Sequence, residues 1–530
     1  MIARALILLL LSLSPLFASA MRPAPGEELW WVFLRDRGNQ HSGAQREALL
    51  QAAARLDSHT MQRRAKGSLA PVGEWDLATS PAYRRQVEAC GARIRVESRW
   101  LNALSVMVRP GQLAELRALP CVRELRPVAR GRRQPLPVSP REPMPAGGAR
   151  VLDYGASLAQ LDEIDVPRVH EAGFNGAGVR VLMLDTGFFT DHEALHDSLV
   201  LAEWDFINGD GQTQNEPGDD PAQHSHGTLT FSTLGGSFPG QLYGPAWGAR
   251  FLLAKTEDVT SETPVEEDYW IAGLEWGESL GADVVSSSLG YTDWYTPLDL
   301  DGQTAPTCLA AEQAFQLGMV LCNSAGNART SDWGHIVTPA DGLHVIAVGA
   351  VNSSNLLASF SSPGPTADGR IKPEVCARGV GTVCAGIGST SNFRTANGTS
   401  LSCPLVAGAA ALVVQAHPGW SPLAVREALM NTADRADSPD NDYGWGRIRT
   451  GAAIEYLRAP ENLSIRLDAS AVRLDWNPGV ADSYRVYSAP TPAGPWTQLV
   501  QLADTTWSHA TALDTDLLCY RITAAGIVLP

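Results

Sequence analysis

The chain has 530 residues and a formal net charge of −16, with 44% hydrophobic and 18% charged residues. That length implies more than one domain, and the hydrophobic share supplies a large core. The acidic balance excludes nucleic acid as the main partner. The charge is uneven: Met21 to Gly148 carries 21 basic and 12 acidic residues, whereas Ala149 to Pro530 carries 19 and 45. Two parts that attract each other and two ordinary solvated surfaces both fit this pattern.

Met1 to Ala20 predicts a leader. Arg4 gives a basic start, Ala5 to Phe17 is mostly apolar, and Ala18-Ser19-Ala20 suits cleavage. The run is short for a membrane span, and no later segment reaches that length. The expectation is an exported protein, secreted or periplasmic, with no stable membrane anchor.

From Met21 to Gly148 the pattern predicts a small α+β domain of about 110 residues with a trailing linker. Glu28 to Arg35, Ala92 to Val96, Ala103 to Val108 and Val122 to Val128 read as strands. Arg46 to Arg64 reads as one helix and Gln112 to Leu119 as another. Arg130 to Arg150, rich in Arg, Pro and Gly, reads as an exposed linker and processing site.

From 149 to 458 strand-like runs alternate with helix-like stretches. Val179 to Leu184, Arg250 to Ala254, Val284 to Ser288, Met319 to Asn323 and Val345 to Val348 read as strands. His226 to Leu234, Asp268 to Leu280 and Cys308 to Leu317 read as helices. This predicts an α/β fold, a parallel sheet between helices, with sites at the strands' carboxyl ends. Residues 459–530 alternate with period two, as in Val472 to Trp476 and Tyr484 to Tyr487, and predict a β-sandwich of about 70 residues.

The eight cysteines are Cys90, Cys121, Cys308, Cys322, Cys376, Cys384, Cys403 and Cys519. Export permits disulfides, and Cys376 with Cys384, or Cys308 with Cys322, are candidate pairs. Cys403 sits within a run of small residues and reads as a buried thiol.

Three short motifs carry chemistry. Asp185-Thr186-Gly187 places a carboxylate at the end of a strand, where Asp also serves in turns and caps. His226-Gly227-Thr228 opens a small-residue helix; alone, this His suits a metal ligand or a satisfied core histidine. Gly398-Thr399-Ser400-Leu401-Ser402-Cys403-Pro404 leads from a loop into an apolar helix, Leu401 to His417. Ser400 is then either a helix cap or a hydroxyl aimed from a positive helix end. Pro404 is placed in the first turn, where it is tolerated.

Together, in the order Asp185, His226, Ser400, these motifs resemble the subtilisin-like serine proteases (subtilases, peptidase S8). Ser324-Ala325-Gly326-Asn327 resembles that family's oxyanion segment. Cys403 departs from the usual small residue. The resemblance, over about residues 150–457, implies a triad of Asp185, His226 and Ser400, with Asn327 in the oxyanion hole. It further implies that Ser288, Leu289 and Gly290, facing Ala325 and Gly326, bind substrate as an added strand. Aligned on Val345 to Ala350, Val337 falls near the base of the first specificity pocket and favours smaller apolar residues.

The resemblance makes the basic first domain an inhibitory propeptide that assists folding. Ser98 to Val106 resembles the sheet region of such prosegments. The terminal sandwich resembles a fibronectin type III module. No cofactor is implied for the chemistry. Calcium is common in the family, and Asp205, Asn208, Asp210, Asp219 and Asp220 could hold it or form a solvated loop. The implied partners are peptide substrates and the chain's own propeptide, and the expected state is a monomer. A pseudoprotease and an ester-directed serine hydrolase are the rival readings.

Overall fold

The computed structural model of the chain describes residues 23–38, 42–129, 136–137, 152–259, 267–468, 471–510 and 518–529. The expected leader and most of the expected linker lie outside the described residues.

In the first segment, four strands form an antiparallel sheet in the order Arg93–Ser98, Ala103–Val108, Glu28–Leu34, Val122–Pro127. Side chains alternate between its faces. Val32, Leu34, Leu104, Val106 and Val108 pack with Val87 and Leu116 of the segment's own helices. Trp31, Phe33, Ala103 and Met107 point the other way and share a core with Tyr269, Trp270 and Trp276. The first segment is thereby docked on the helix Glu267–Ser279.

The single helix expected from Arg46 to Arg64 is two helices, Ser42–Ala53 and Ser58–Arg64. The Asp57 carboxylate accepts from Thr60 N–H at 2.7 Å, capping the second. An Asp that bonds nearby backbone competes with an uninterrupted helix, and here the cap wins. The helix Pro81–Ala89 was not anticipated; Pro81 opens it where its missing N–H costs nothing.

The central sheet has seven parallel strands, two more than expected. Their order is Val375–Arg378, Ile346–Val351, Val320–Ser324, Val284–Ser287, Arg180–Asp185, Arg250–Lys255, Val200–Asp205. Along Arg180–Asp185, Val181 and Met183 face one core, and Leu182 and Leu184 the other. The first core holds the helix Thr399–Ala416; the second holds the helices Glu267–Ser279 and Pro306–Gln316. Burial on both faces explains why these strands read as continuous apolar runs.

The helix Thr399–Ala416 is long and apolar enough to cross a membrane, but 83% of it is buried at the centre of the protein. Pro404 lies in the second turn rather than the first, because the helix begins two residues earlier than expected, at Thr399. Its absent N–H would have bonded the Ser400 carbonyl. That carbonyl instead accepts from Ser288 Oγ at 3.0 Å.

After the helices come two three-stranded antiparallel sheets. They enclose a small core of Val472, Leu474, Trp476, Tyr484 and Val486.

Neither candidate disulfide forms; all eight cysteines are free thiols. Cys376 Sγ donates to Tyr443 O at 3.4 Å and Cys384 Sγ to Arg394 O at 3.5 Å. Cys308 Sγ lies 3.1 Å from both Thr338 Oγ1 and Asp341 Oδ1. Each thiol is committed to its own surroundings.

Candidate active site

A cleft opens at the carboxyl ends of the parallel strands, lined by His226, Ser288, Leu289, Gly290, Gly326, Asn327, Val337 and Ser400, among others. Asp185 ends the strand Arg180–Asp185. His226 is the second residue of the helix Ser225–Gly235, and Ser400 the second of Thr399–Ala416. Strand end and helix start come so close that a Cβ on Gly227 would lie 2.1 Å from Gly187 O. Gly187 itself has φ +129°, a conformation that favours glycine. This explains the glycines of Asp-Thr-Gly and His-Gly-Thr.

His226 Nδ1 and Asp185 Oδ1 are 2.7 Å apart, and both residues are buried. Asp185 Oδ1 also accepts from Thr186 N–H at 2.7 Å, and Oδ2 from Thr230 Oγ1 at 2.8 Å. Burial pushes the Asp185 carboxyl up. The adjoining His226 and these hydrogen bonds outweigh it, and the net direction is down. Asp185 is thus held as a carboxylate. Thr230 was missed from sequence, although it follows His226 by four residues and so shares its helix face.

Asn327 Oδ1 accepts from Thr399 N–H at 2.9 Å and from Thr399 Oγ1 at 3.0 Å. A backbone N–H needs an acceptor, so the Asn327 amide is fixed with its NH₂ on the other side. Gly290 and Gly326 both abut Val337: a Cβ on either would fall 2.3 or 3.0 Å from a Val337 methyl. Ser288 binds the Ser400 carbonyl, so its hydroxyl supports the helix start. Ala325 is fully buried with Ile336, Ala340 and Ala347, behind the cleft wall. Cys403 is the buried thiol expected. Its Sγ lies 3.4 Å from Ser287 O, and burial pushes it up to about 12.

The acidic loop before His226 already contains a cation. Lys255 Nζ lies 2.7 Å from Asp205 Oδ2 and 2.8 Å from Asp219 Oδ2, with Lys255 and Asp205 fully buried. The carboxylates of Asp205, Asp210 and Glu216 approach within 4.8 Å of one another. A divalent ion there would have to share Asp205 with Lys255.

Comparison with known proteins identifies the family. The Subtilase family, Peptidase S8, matches residues 176–446, and a Peptidase S8 propeptide domain described from Bacteroidota matches residues 29–138. Subtilisin E of Bacillus subtilis is 33% identical over 311 residues, covering 58% of this chain and 72% of that protein. Subtilisin of Bacillus pumilus is also 33% identical over 311 residues and is covered in full. The serine protease AprX of Bacillus subtilis is 31% identical over 307 residues, 53% of this chain and 66% of AprX. The chain belongs to the subtilase family of serine endopeptidases and carries that family's propeptide.

Proposed function

We propose that this subtilase is an exported endopeptidase, made as a zymogen that processes itself, with Asp185, His226 and Ser400 as its triad. The observation that supports this most is the 2.7 Å Asp185–His226 contact, with His226, Ser400 and Asn327 on one cleft. A Ser hydroxyl is a weak nucleophile until a base takes its proton. His226 Nε2 takes it as Ser400 Oγ attacks the peptide carbonyl, then protonates the leaving amine. Asp185 holds the Nδ1–H tautomer and stabilises the imidazolium. Asn327 Nδ2 and the Ser400 backbone N–H bind the oxyanion. Water then hydrolyses the acyl-enzyme by the same steps.

Substrate adds as a strand beside Ser288, Leu289 and Gly290, with Gly326 opposite. Val337 shortens the first pocket, which therefore takes small apolar side chains. Val337→Gly should raise kcat/KM for a substrate with Phe before the cut by roughly tenfold or more. The chain divides into a leader at 1–20, propeptide and linker at 21–148, a catalytic domain at 149–458 and a fibronectin type III-like module at 459–530. That module binds, spaces or stabilises. The chemistry needs no cofactor, and the mature enzyme acts as a monomer. Labelling by a fluorophosphonate probe, abolished in Ser400→Ala, tests the reading; a wild-type chain that takes no label overturns it.

A further inference from the structure

The helix Glu267–Ser279 meets the first segment through carboxylates, and three of them face arginines. Arg64 grips Glu278 with two parallel bonds: Nε lies 2.7 Å from Oε1 and Nη2 2.8 Å from Oε2. Arg63 pairs with the same carboxylate. Arg99 Nε is 3.2 Å from Glu275 Oε2, and Arg95 Nη1 is 3.3 Å from Asp268 Oδ1. The Arg95 guanidinium also lies over the Tyr269 ring, 3.7 Å from its centroid. A two-pronged bond to a carboxylate and stacking on a ring are guanidinium chemistry, which a lysine ammonium reproduces poorly. Asp268 to Glu278 spans about 15 Å of helix. That length of surface is built to recognise arginine.

The chain passes from this face to the cleft. Ala129 N–H bonds Glu267 at the start of the helix. Seven residues later, Leu136 packs with Leu401, the residue after Ser400. A Cβ on Gly398 would meet Leu136 Cδ2 at 3.2 Å and Asn327 Nδ2 at 3.5 Å. Seven extended residues cover at most roughly 24 Å. The arginine-binding face therefore lies on the amino-terminal side of the cleft, within reach of a chain that occupies it.

We propose that, once the first segment has left, this face captures arginines of a substrate on the amino-terminal side of the cut. The mature enzyme then prefers arginine-rich, cationic polypeptides. This rests on the zymogen reading above. Departure of the first segment leaves Asp268, Glu275 and Glu278 without their arginines. Glu275 and Glu278 are three residues apart on a helix, where like charges repel, so a cationic occupant relieves them. Residues 149–530, with 19 basic and 45 acidic side chains, add a field that draws cations in. That field brings cationic chains near, and the carboxylates and the Tyr269 ring select arginine over lysine among them.

The test uses mature enzyme from the processed full chain and fluorogenic peptides that share one cleaved sequence. One peptide carries an arginine tract at its amino-terminal end, joined by a Gly/Ser spacer of about seven residues. The others carry lysines or glutamines there, or the arginine tract after the cut. The amino-terminal arginine peptide should exceed the glutamine peptide in kcat/KM by roughly tenfold, through KM, with lysine between them. Arginines after the cut should gain little. The double variant Glu275→Gln with Glu278→Gln should erase the advantage. The same loss of charge in Glu461→Gln with Asp468→Asn, on the exposed strand Glu461–Asp468, should preserve it. The peptide comparisons decide the matter alone where the first double variant does not mature. Arginine equal to glutamine, lysine equal to arginine, or an equal gain on either side of the cut overturns the proposal, while cleavage itself upholds the triad. A chain that never sheds its first segment overturns the zymogen reading and this proposal together.

Discussion

Ser288 and Ser400 are joined by a hydrogen bond that exists because of a third residue. Ser288 Oγ donates to Ser400 O at 3.0 Å, replacing the N–H that Pro404 lacks. The wall of the cleft and the start of the central helix are tied at the nucleophile's own backbone. Ser288→Ala should leave a buried carbonyl without its partner and lower stability by about 1–3 kcal/mol. Adding Pro404→Ala should recover most of that loss by restoring the helical donor. Denaturant unfolding of the Ser400→Ala background, where no self-digestion intervenes, measures both. An additive double mutant would refute the link.

Thr230 acts through Asp185. Its hydroxyl donates to Oδ2 at 2.8 Å, opposite the oxygen that faces His226. Thr230→Val keeps the shape and removes the donor. It should lower kcat roughly tenfold with little change in KM. Thr230→Ser should retain activity. Equal losses in both variants would indicate packing alone.

Docking of the propeptide should weaken as pH rises from about 4.5 to about 7. Glu267 is fully buried at the interface, bonded by Tyr295 OH at 2.6 Å, Trp31 Nε1 at 3.0 Å and Ala129 N–H at 3.4 Å. Burial raises its carboxyl from 4.5 to about 7 despite these donors, and the neighbouring Asp268 adds to the rise. A group raised in the complex stabilises it fully below the free value; that gain is gone once pH passes the raised one. Glu278, gripped by Arg63 and Arg64, is lowered to about 2, so its contribution is lost as pH falls from 4.5 towards 2. Affinity of the propeptide for the Ser400→Ala protease should therefore peak near pH 4.5 and fall roughly 100-fold by pH 7. Glu267→Gln should shrink the limb above pH 4.5, leaving the part supplied by Glu275, whose carboxyl burial against the first segment also raises. A flat profile in the unsubstituted pair would rule this out.

The Lys255 ammonium should carry the stability of the acidic loop without calcium. Chelator should leave the Tm of the mature enzyme unchanged. Lys255→Met should destabilise by about 3–5 kcal/mol, because it strands the buried Asp205 carboxylate. A Tm drop on chelation, reversed by added Ca²⁺, would place the ion there instead.

What could be read from the sequence was local. The alternation of apolar runs was enough for a parallel sheet between helices, since strands buried on both faces must be apolar throughout. Three short motifs in order were enough to name a family, because close backbone approach imposes glycine beside each functional residue. The strand Val375–Arg378 is brief, and Val200–Asp205 mixes its pattern; both escaped notice. So did the break at Asp57, where a cap outcompeted helix propensity.

Tertiary structure alone decided the contacts between residues far apart in the chain. Nothing in the sequence pairs the carboxylates Glu267, Asp268, Glu275 and Glu278 with the first segment, yet all are buried against it. Lys255 closes the acidic loop from a neighbouring strand. Leu136 finds its pocket among residues 93 to 265 positions away. Such partners are set by how the chain folds back on itself, and no spacing along it encodes them. The propensities and glycine constraints that identify a subtilase act within a few residues. Ion pairing, desolvation and the fit of the linker act across the finished fold.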